Sequence, residues 1–335
     1  MDRSRPRVLL FGAGSIGTPY IHVLQQAGCD VTAVCRSNYD AAKANGFTLN
    51  SAIFGNSIHL TPTIVRSVAE AAASGHKYDY VVITTKAFPS PVPVSAPSPS
   101  AAAIGPAITK DHTTIVLIQN GLLIEREYKD AYPDNHVLSC VVYMPATQVR
   151  PGVVEMGNVE LLQIGAYPAE VPDGRQCAEA LQALIKSGGG HADVYDDIQE
   201  RRWRKLMLNC GWNPVCALGR SRDVAILKAC DEAEEFVRQV MLEVAAVAQQ
   251  MGYPSVNEKA VEIQLQRAKD RLGSEGIEPS MMADAIGGRR MEVEAIVGAP
   301  MRLGKEKGVS VARLEALYVL TKALDDRLAE ARPSL

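Results

Sequence analysis

A glycine-rich loop near the N-terminus constrains the fold more than any other feature of the sequence. The loop, Gly12-Ala13-Gly14-Ser15-Ile16-Gly17, follows the apolar run Val8–Phe11 and precedes a helical stretch at Thr18–Ala27. A second apolar run follows at Val31–Val34. This order predicts a strand, a tight turn, a helix and a second, parallel strand. In that setting a GxGxxG loop binds a dinucleotide.

Each part of the loop has a predicted task. Gly12 permits the tight turn, Gly14 lets the backbone approach a pyrophosphate, and Gly17 lets the helix pack closely on the strand. Ser15 and Ile16 lie at the start of the helix, where free N–H groups and the positive end of the helix dipole attract phosphate. The alternative is a glycine turn that binds no nucleotide.

The end of the second strand indicates which nucleotide binds. A site for NAD usually places Asp or Glu there, to accept a hydrogen bond from the ribose 2′-hydroxyl. Here the strand continues into Arg36, Ser37 and Asn38, and Asp30 lies at its other end. Arg36 can pair with a 2′-phosphate, and Ser37 or Asn38 can add neutral hydrogen bonds. The sequence therefore predicts NADPH, with a solvated surface arginine as the alternative for Arg36.

The chain divides into two parts with different sequence patterns. They predict an α/β protein with a Rossmann-like N-terminal domain, residues 1–195, followed by an all-helical C-terminal domain, residues 196–335. Strands that are apolar on both faces suit a parallel sheet covered by helices on both sides. Two further runs flank Gly157-Asn158 and indicate a hairpin. The predicted strands are Val8–Phe11, Val31–Val34, Tyr80–Thr84, Ile115–Gln119 and Val137–Val142, and the hairpin strands are Val153–Met156 and Val159–Ile164.

The second part begins at about Asp196, where the strand patterns stop. Apolar residues at helical spacing between Asp223 and Met251 predict one long amphipathic helix, which Gly252 and Pro254 end. Further helices are predicted at about 256–272, 280–303 and 310–330.

A proline-rich segment interrupts the alternation of strands and helices in the first part of the chain. Six prolines lie between Pro89 and Pro106, and this composition predicts neither a regular helix nor a regular strand. A tolerated surface connection and a loop that hangs over the cofactor are the two interpretations.

Composition argues against several classes of function. The chain has 35 basic and 38 acidic residues and a formal net charge of −3, which does not indicate a nucleic-acid-binding surface. No apolar run reaches the roughly 20 residues that span a bilayer, and no signal-peptide pattern is present, so a cytoplasmic protein is expected. The seven cysteines form no CxxC pair, which argues against a disulfide framework and a zinc site.

Polar residues follow two of the predicted strands, as Thr84-Thr85-Lys86 and as Gln119-Asn120-Gly121. In an open parallel sheet, ligands lie outside the carboxyl ends of the strands. Lys86 is therefore a candidate for the cofactor, and Asn120 is a candidate for the cofactor and the substrate. A surface lysine and simple turn chemistry before a glycine are the alternatives.

The stretch from Arg202 to Pro214 predicts a buried helix with one polar stripe. Lys205, Asn209 and Asn213 stand four residues apart, so they share a face if the helix continues that far. Apolar residues fill the rest of the circumference, and buried polar groups need partners, such as a ligand in a cleft. A solvent-facing lysine and capping asparagines are the alternative, and Pro214 disfavours helical geometry at Asn213.

A lysine is a suitable acid for the reduction of a carbonyl group. Hydride adds to the carbon and negative charge develops on the oxygen, where a cation can stabilise the charge and donate a proton. Glu292 and Glu294 are the candidate carboxylates that orient Lys205.

The chain resembles the ketopantoate reductase (2-dehydropantoate 2-reductase) family from the glycine loop to about residue 325. The resemblance implies NADPH-dependent reduction of 2-dehydropantoate to (R)-pantoate, a step towards pantothenate and coenzyme A. The motifs that carry it are the glycine loop, Thr85-Lys86-Ala87, Gln119-Asn120-Gly121, Trp203-Arg204-Lys205-Leu206 with Asn209 and Asn213-Pro214, Ser280-Met281-Met282 with Asp284, and Glu292.

The resemblance also implies roles for residues of the C-terminal domain. Lys205 matches the general acid that protonates the substrate carbonyl. Glu292 matches the carboxylate that contacts the cofactor and aligns the site. Asn209, Asn213 and Ser280 match substrate-binding positions.

In the N-terminal domain, Lys86 and Asn120 match residues beside the ribose and the nicotinamide, and Arg36 matches the cation that pairs with the 2′-phosphate. One position departs from the family, because Ile277 stands where members that act on ketopantoate often carry an asparagine. A reductase of a different 2-oxo acid or keto metabolite is therefore one alternative. An NADPH-binding sensor without catalysis is the other.

The resemblance sets the expected partners as well. They are a small-molecule 2-oxo acid and NADPH, with neither nucleic acid nor a membrane. Both a monomer and a homodimer are compatible with the sequence.

Overall fold

The computed structural model describes residues 5–89 and 98–331 and divides into two units. Of the described residues, the first unit holds 5–86, 98–119 and 124–198. The second unit holds 87–89, 120–123 and 199–331. Two short pieces from the N-terminal part of the chain thus belong to the helical unit.

The first unit contains the strands of the molecule. In chain order, they are β1 (Arg7–Phe11), β2 (Asp30–Val34), β3 (Phe47–Ser51), β4 (Gly55–Leu60), β5 (Thr63–Val65), β6 (Tyr80–Ile83), β7 (Thr114–Ile118), β8 (Val137–Tyr143), β9 (Ala146–Arg150), β10 (Val153–Met156), β11 (Leu161–Tyr167) and β12 (Ala192–Val194). Its helices are α1 (Gly17–Gln26), α2 (Tyr39–Asn45), α3 (Val68–Ala72), α4 (Pro99–Ile104), α5 (Arg126–Ala131) and α6 (Gly174–Ser187).

Eight strands form the main sheet, in the order β12-β11-β8-β7-β6-β1-β2-β5. All neighbouring pairs are parallel except β8 and β11. The chain moves outward from β1 through β2 to β5 on one side and from β6 through β7 to β8 on the other. The strand order therefore reverses between β1 and β6, and ligands of such sheets bind at this reversal point, beyond the carboxyl ends of the strands.

The main sheet confirms the five predicted apolar strands and the Rossmann-like fold class. Val8, Leu9 and Leu10 of β1 have no exposed surface, so consecutive side chains are covered on both faces of the sheet. Strands in this position read as continuous apolar runs because neither face meets water. The pattern that predicted them is thus a direct result of their central place.

The predicted hairpin of residues 153–164 is wrong. β10 pairs with β9 and β3 in a separate four-stranded sheet of order β4-β3-β10-β9, whereas β11 pairs with β8 and β12 in the main sheet. Burial explains the division, since β11 is covered on both faces and β10 on alternate residues only. The hairpin lies one strand earlier, where Pro151-Gly152 joins β9 to β10 and Gly152 has a φ of +79°.

The expectation that the proline-rich segment contains no regular helix is also wrong for its described C-terminal part. Pro99–Ile104 forms α4, and a 3₁₀ turn follows at Gly105–Ala107. Pro99 occupies the first turn, where a missing N–H costs no hydrogen bond. Ser98 caps the helix by accepting a hydrogen bond from Ala101 N at 3.1 Å. Residues 90–97, the middle of the segment interpreted as either a surface connection or a loop over the cofactor, lie outside the described residues.

The second unit is helical, and no strand follows Val194 in the described part of the chain, as predicted. Its helices are α7 (Ile198–Gly219), α8 (Asp223–Leu227), α9 (Ala233–Gln250), α10 (Glu258–Lys269), α11 (Ser280–Ile286), α12 (Ala299–Glu306) and α13 (Ala312–Glu330), with a π-helical turn at Glu294–Gly298. The predicted helix from Asp223 to Met251 is two helices. The predicted helix at 280–303 is likewise interrupted, since α11 ends at Gly287-Gly288, where Gly288 has a φ of +61°.

The core of the second unit is centred on α9. Val237, Val240, Met241, Val244 and Val247 have no exposed surface and form the apolar stripe predicted for this helix. Helix α7 adds a second buried surface to the same cluster. Among the described residues, none of the helices is long and apolar enough to cross a bilayer.

Candidate active site

The glycine loop lies at the carboxyl end of β1, beside the reversal point of the sheet. Gly12 has a φ of +109°, and a side chain there would meet Thr85 Cγ2 at 2.7 Å. At Gly17 a Cβ atom would lie 2.8 Å from Thr84 Oγ1 and still closer to Gly12 O. Both positions thus require glycine for the fold itself.

Gly14 differs from the other two glycines of the loop. A Cβ atom at Gly14 would have no protein atom within 4 Å, so the absence of a side chain leaves open space in front of the loop. Neither the fold nor the local packing explains this glycine. A ligand that must approach the backbone closely does explain it, and the pyrophosphate of a dinucleotide is such a ligand.

Two side chains of the loop region are engaged in holding the loop. Ser15 Oγ accepts a hydrogen bond from Gln148 N at 2.9 Å. Asn38 Nδ2 donates to Ala13 O at 2.6 Å and to Gln148 Oε1 at 3.1 Å. The sequence offered Ser37 or Asn38 for neutral hydrogen bonds to a 2′-phosphate, but the amide group of Asn38 donates to Ala13 and Gln148 instead. Gln148 of β9, which the sequence interpretation missed, forms hydrogen bonds with both Ser15 and Asn38.

Arginines follow two neighbouring strands at this edge of the sheet. Arg36 follows β2 and is exposed, as the proposed binding of a phosphate requires. Arg66 follows β5, stacks on the Tyr39 ring at 3.9 Å and pairs with Asp40 at 2.6 Å. Arg66 was not singled out from the sequence, although the apolar run before it marks the end of a strand.

The ends of β6 and β7 are joined by a side chain. Gln119 Nε2 donates a hydrogen bond to Thr85 O at 2.8 Å. Lys86, the next residue after Thr85, is half-buried. The sequence expectation that residues 84–86 and 119 meet at one edge of the sheet is therefore correct for these positions.

In the second unit, α7 remains helical through Pro214 to Gly219. Lys205, Asn209 and Asn213 therefore do lie along one stripe of the helix, including the third position, which Pro214 had made uncertain. Lys205 and Asn209 are half-buried, and Asn213 is buried.

Lys205 has a strongly perturbed ionisation. Burial of the ammonium group and, to a lesser extent, the positive charge of Arg202 lower the pKa of Lys205 to about 7. The carboxylate of Glu292 acts in the opposite direction. Desolvation and like charge both favour the neutral amine, whereas an opposite charge favours the ammonium ion.

The structure distinguishes the two carboxylates that were candidates for orienting Lys205. Glu292 is buried, acts electrostatically on Lys205 and accepts a hydrogen bond from Ala87 N at 2.9 Å. Glu294 instead accepts a hydrogen bond from Tyr318 Oη at 2.6 Å and pairs with Arg302. Of these two carboxylates, Glu292 is therefore the one that acts on the charge of the lysine.

The turn at Asn120-Gly121 packs against the π-helical turn. Gly121 has a φ of +100°, and a Cβ atom there would lie 2.7 Å from Ala295 O and closer still to Ala295 Cβ. Leu122 N donates a hydrogen bond to Ala295 O at 3.0 Å. Widened π turns alter the hydrogen-bond ladder of a helix and are frequent at functional sites. Here the π-helical turn offers the carbonyl of Ala295 to Leu122, which lies far away along the chain.

Asn120 provides a second indication of a ligand. Its Oδ1 atom is buried, and within the described residues it has no hydrogen-bond partner. A buried amide oxygen without a partner is costly. A ligand with an N–H or O–H donor, such as a carboxamide or a ribose, would satisfy it.

Asn213 and Ser280 are brought together, but their first partners are each other. Asn213 Oδ1 accepts hydrogen bonds from Ser280 Oγ at 3.2 Å and from Met281 N at 3.0 Å. Asn213 thereby caps the N-terminus of α11. Ile277, three residues before Ser280, is 51% exposed, and its backbone N donates to Asp223 Oδ1 at 2.7 Å.

Arg202 is the residue of this unit that the sequence interpretation missed. It is 2% exposed, and its Nη1 donates a hydrogen bond to Gly121 O at 2.9 Å. The available signal was an arginine among the apolar residues of a buried helix, three positions before the candidate acid. In the described part of the chain, no cluster of His, Cys, Asp and Glu could hold a metal ion.

Comparisons with known proteins identify the family. Residues 8–169 match the family described as ketopantoate reductase PanE/ApbA, and residues 197–325 match its C-terminal part. The chain belongs to the ketopantoate reductase family. Its members are oxidoreductases, and this protein is a nicotinamide-dependent oxidoreductase that acts on CH–OH groups or the corresponding carbonyls.

Individual relatives extend over nearly the whole chain. An uncharacterized protein of Saccharomyces cerevisiae is 27% identical, with 97% of this chain and 95% of that protein covered. A 2-dehydropantoate 2-reductase of Nostoc is 25% identical, with 95% of each covered. The crystal structure of 2-dehydropantoate 2-reductase from Methylococcus capsulatus is 31% identical, with a TM-score of 0.80 and 98% of this chain and 99% of that one covered.

Proposed function

We propose that this ketopantoate reductase family member reduces 2-dehydropantoate to (R)-pantoate with NADPH, as part of pantothenate synthesis in the cytoplasm. The observation that carries the proposal is Lys205, a lysine with a pKa of about 7 on the polar stripe of α7. A lysine of that kind suits proton transfer near neutral pH and is rarely needed for structure alone.

The glycine loop and its neighbours are proposed to hold the cofactor. Gly12 and Gly17 shape the turn. The open space at Gly14 would admit the pyrophosphate close to the backbone, where Ser15 and Ile16 directly precede α1. When bound, NADPH supplies the hydride. The exposed Arg36 is proposed to pair with its 2′-phosphate through charge-assisted hydrogen bonds.

Three further residues are proposed to position the nicotinamide end of the cofactor. Lys86 lies at the carboxyl end of β6, where ligands of parallel sheets bind. The unpartnered Oδ1 of Asn120 can accept a hydrogen bond from the nicotinamide carboxamide or the ribose. Glu292 is proposed to contact the cofactor with its buried carboxylate, whose charge also favours the ammonium form of Lys205.

Lys205 is proposed to complete the reduction. Reduction of the carbonyl would place negative charge on its oxygen, which the ammonium group of Lys205 would stabilise and protonate. The products are then the alcohol and a neutral lysine, which takes a proton from water before the next turnover. Glu292 favours the charged form of Lys205 that this step requires.

Asn209, Asn213 and Ser280 are proposed to bind the 2-oxo acid. Their amide and hydroxyl groups can donate hydrogen bonds to a carboxylate or accept them from a hydroxyl. Asn213 Oδ1 is used within the protein, so its Nδ2 group is the part assigned to the substrate.

A second candidate function is the reduction of a different 2-oxo acid. It is favoured by Ile277, whose exposed apolar side chain stands where an asparagine would offer hydrogen bonds. Both candidates share Lys205 and the cofactor residues. They differ only in the group attached to the oxo acid.

Initial rates of NADPH oxidation separate these candidates. We expect ketopantoate to give the highest kcat/KM in a panel of 2-oxo acids that vary in the size and polarity of the attached group. A higher kcat/KM for an acid with an apolar group would favour the second candidate. No turnover of any 2-oxo acid, together with tight binding of NADPH, would favour a non-catalytic sensor.

A further inference from the structure

Arg202 is a buried cation beside the candidate acid. It lies on α7 three residues before Lys205, so the two side chains occupy neighbouring positions on one face of the helix. Only 2% of its surface is exposed. Burial of a guanidinium group is costly, and an apolar side chain of similar size often stabilises a protein as well or better. An arginine at this position therefore calls for a reason beyond packing.

The first consequence of Arg202 is mechanical. Its Nη1 donates a hydrogen bond to Gly121 O at 2.9 Å. On the other side of the same turn, Leu122 N donates to Ala295 O at 3.0 Å, and Gly121 has no room for a side chain against Ala295. The turn that carries Asn120 is thus held between α7 and the π-helical turn.

The second consequence is electrostatic. A guanidinium group stays charged at every pH that a protein tolerates. Among the described residues, Arg202 of α7 and Glu292 of the segment before the π-helical turn act electrostatically on the Lys205 amine. Their effects oppose each other. The positive charge of Arg202 favours the neutral amine, and the negative charge of Glu292 favours the ammonium ion.

We propose that Arg202 is a positioning residue that fixes the Asn120-Gly121 turn to the helix of the acid and keeps a second positive charge beside Lys205. The inference rests on the proposed function, because it assigns Arg202 a task in the same reaction. It predicts that the hydrogen bond and the charge both contribute. Arg202→Lys keeps the charge but lacks the planar guanidinium geometry that directs Nη1 to Gly121 O, whereas Arg202→Met loses both.

The reactivity of the Lys205 amine tests the charge without any need for catalysis. Wild-type protein, Arg202→Met and Arg202→Lys are treated with a small acylating reagent at pH 7, and modification of Lys205 is followed by peptide mass spectrometry. Only the neutral amine reacts. An increase of about one in the pKa of Lys205 would make Arg202→Met about fivefold less reactive at pH 7. Arg202→Lys should stay within about twofold of the wild type.

Steady-state kinetics test the positioning of the turn. Arg202→Met loses the bond to Gly121, so kcat/KM should fall at least about tenfold. Arg202→Lys retains a donor without the fixed guanidinium geometry, so its kcat/KM should fall by less. In Arg202→Met, the pH at which kcat falls should also move upward, whereas in Arg202→Lys it should not. Arg238→Met serves as the control, because Arg238 lies on α9 in ion pairs with Glu258 and Glu262 and should leave both readouts unchanged.

Unchanged Lys205 reactivity and unchanged kcat/KM in folded Arg202→Met would overturn the inference. If Arg202→Met fails to fold, Arg202→Gln takes its place, since unchanged Lys205 reactivity and wild-type kcat/KM in that uncharged variant contradict the inference. A wild-type protein that reduces no 2-oxo acid would instead refute the proposed function. In that case the acylation experiment would still report on the charge.

Discussion

The ionisation of Lys205 decides where on the pH scale the proposed chemistry can operate. A lysine at its ordinary pKa of about 10.4 holds its proton too tightly to be an efficient donor near neutrality. Burial and Arg202 lower the pKa of Lys205 to about 7, so the protonated and neutral forms coexist at neutral pH. Glu292 limits the decrease and preserves the form that donates.

The pH dependence of turnover follows from this ionisation. The acid must be protonated before hydride transfer, so kcat for the reduction should fall as pH rises through about 7. In Glu292→Gln the loss of a negative charge lowers the pKa of Lys205 further, and the fall should begin at a lower pH. Initial rates at saturating substrate, measured across neutral pH, check both statements. A kcat that rises with pH through this range would contradict the assignment.

Arg36 governs the choice of nucleotide in the same account. Loss of its charge in Arg36→Gln should weaken NADPH binding by roughly tenfold to a hundredfold and leave NADH binding nearly unchanged. Arg66→Gln is the matched control, because Arg66 is already paired with Asp40 and should give a smaller loss. Titration of each variant with both nucleotides provides the measurement. A wild-type kcat/KM for NADH equal to or above that for NADPH would refute the role of Arg36.

Among the elements, the glycine loop separates structural from functional demands most clearly. Gly17 has no room for a side chain, because a Cβ atom would press against Gly12 O and Thr84 Oγ1. Gly14 has open space instead. The same residue type is thus required for two different reasons within one turn.

The two glycines should respond differently to alanine. Gly17→Ala should lower the free energy of unfolding by roughly 1–3 kcal/mol, because the added methyl group overpacks the contact between helix and strand. Gly14→Ala should leave stability within about 0.5 kcal/mol and weaken NADPH binding, since the methyl group occupies the space in front of the loop. Thermal unfolding and nucleotide titration of both variants give the comparison. Equal NADPH affinity in Gly14→Ala and the wild type would show that no pyrophosphate approaches there.

Elements whose patterns depend on local environment could be predicted from sequence, and elements defined by distant pairing could not. The apolar runs of β1, β2, β6, β7 and β8 record burial on both faces, so they were predicted correctly. β10 and β11 have similar β-rich sequences but lie in different sheets. β10 pairs with β3 and β9, and β11 pairs with β8 and β12. Nothing in a window of ten residues distinguishes these partners.

At the scale of the whole molecule, each unit has its own core and its own part of the proposed chemistry. The first unit holds the glycine loop and Arg36, and the second holds Lys205 and Glu292. Residues 87–89 and 120–123 belong to the second unit. Their assignment depends on contacts far along the chain, from Ala87 to Glu292 and from Leu122 to Ala295. The sequence could place these residues after strands but could not predict those contacts.

The same distinction applies to the candidate site. Residue type, spacing and family resemblance predict roles for Lys205, Glu292 and Asn120, because the chemistry of these side chains is visible in the sequence. The capping role of Asn213, the support of the loop by Gln148 and the bond from Arg202 to Gly121 were not predicted. Each of these depends on a hydrogen bond between residues more than 60 positions apart.

The consumption of NADPH by the wild-type protein and by Lys205→Ala, with ketopantoate as the substrate, tests the central claim most directly. We predict rapid oxidation by the wild type and a kcat at least roughly a hundredfold lower in Lys205→Ala, with NADPH affinity retained in both. No oxidation by a folded wild-type protein that binds NADPH, or equal rates for the two proteins, would contradict the account.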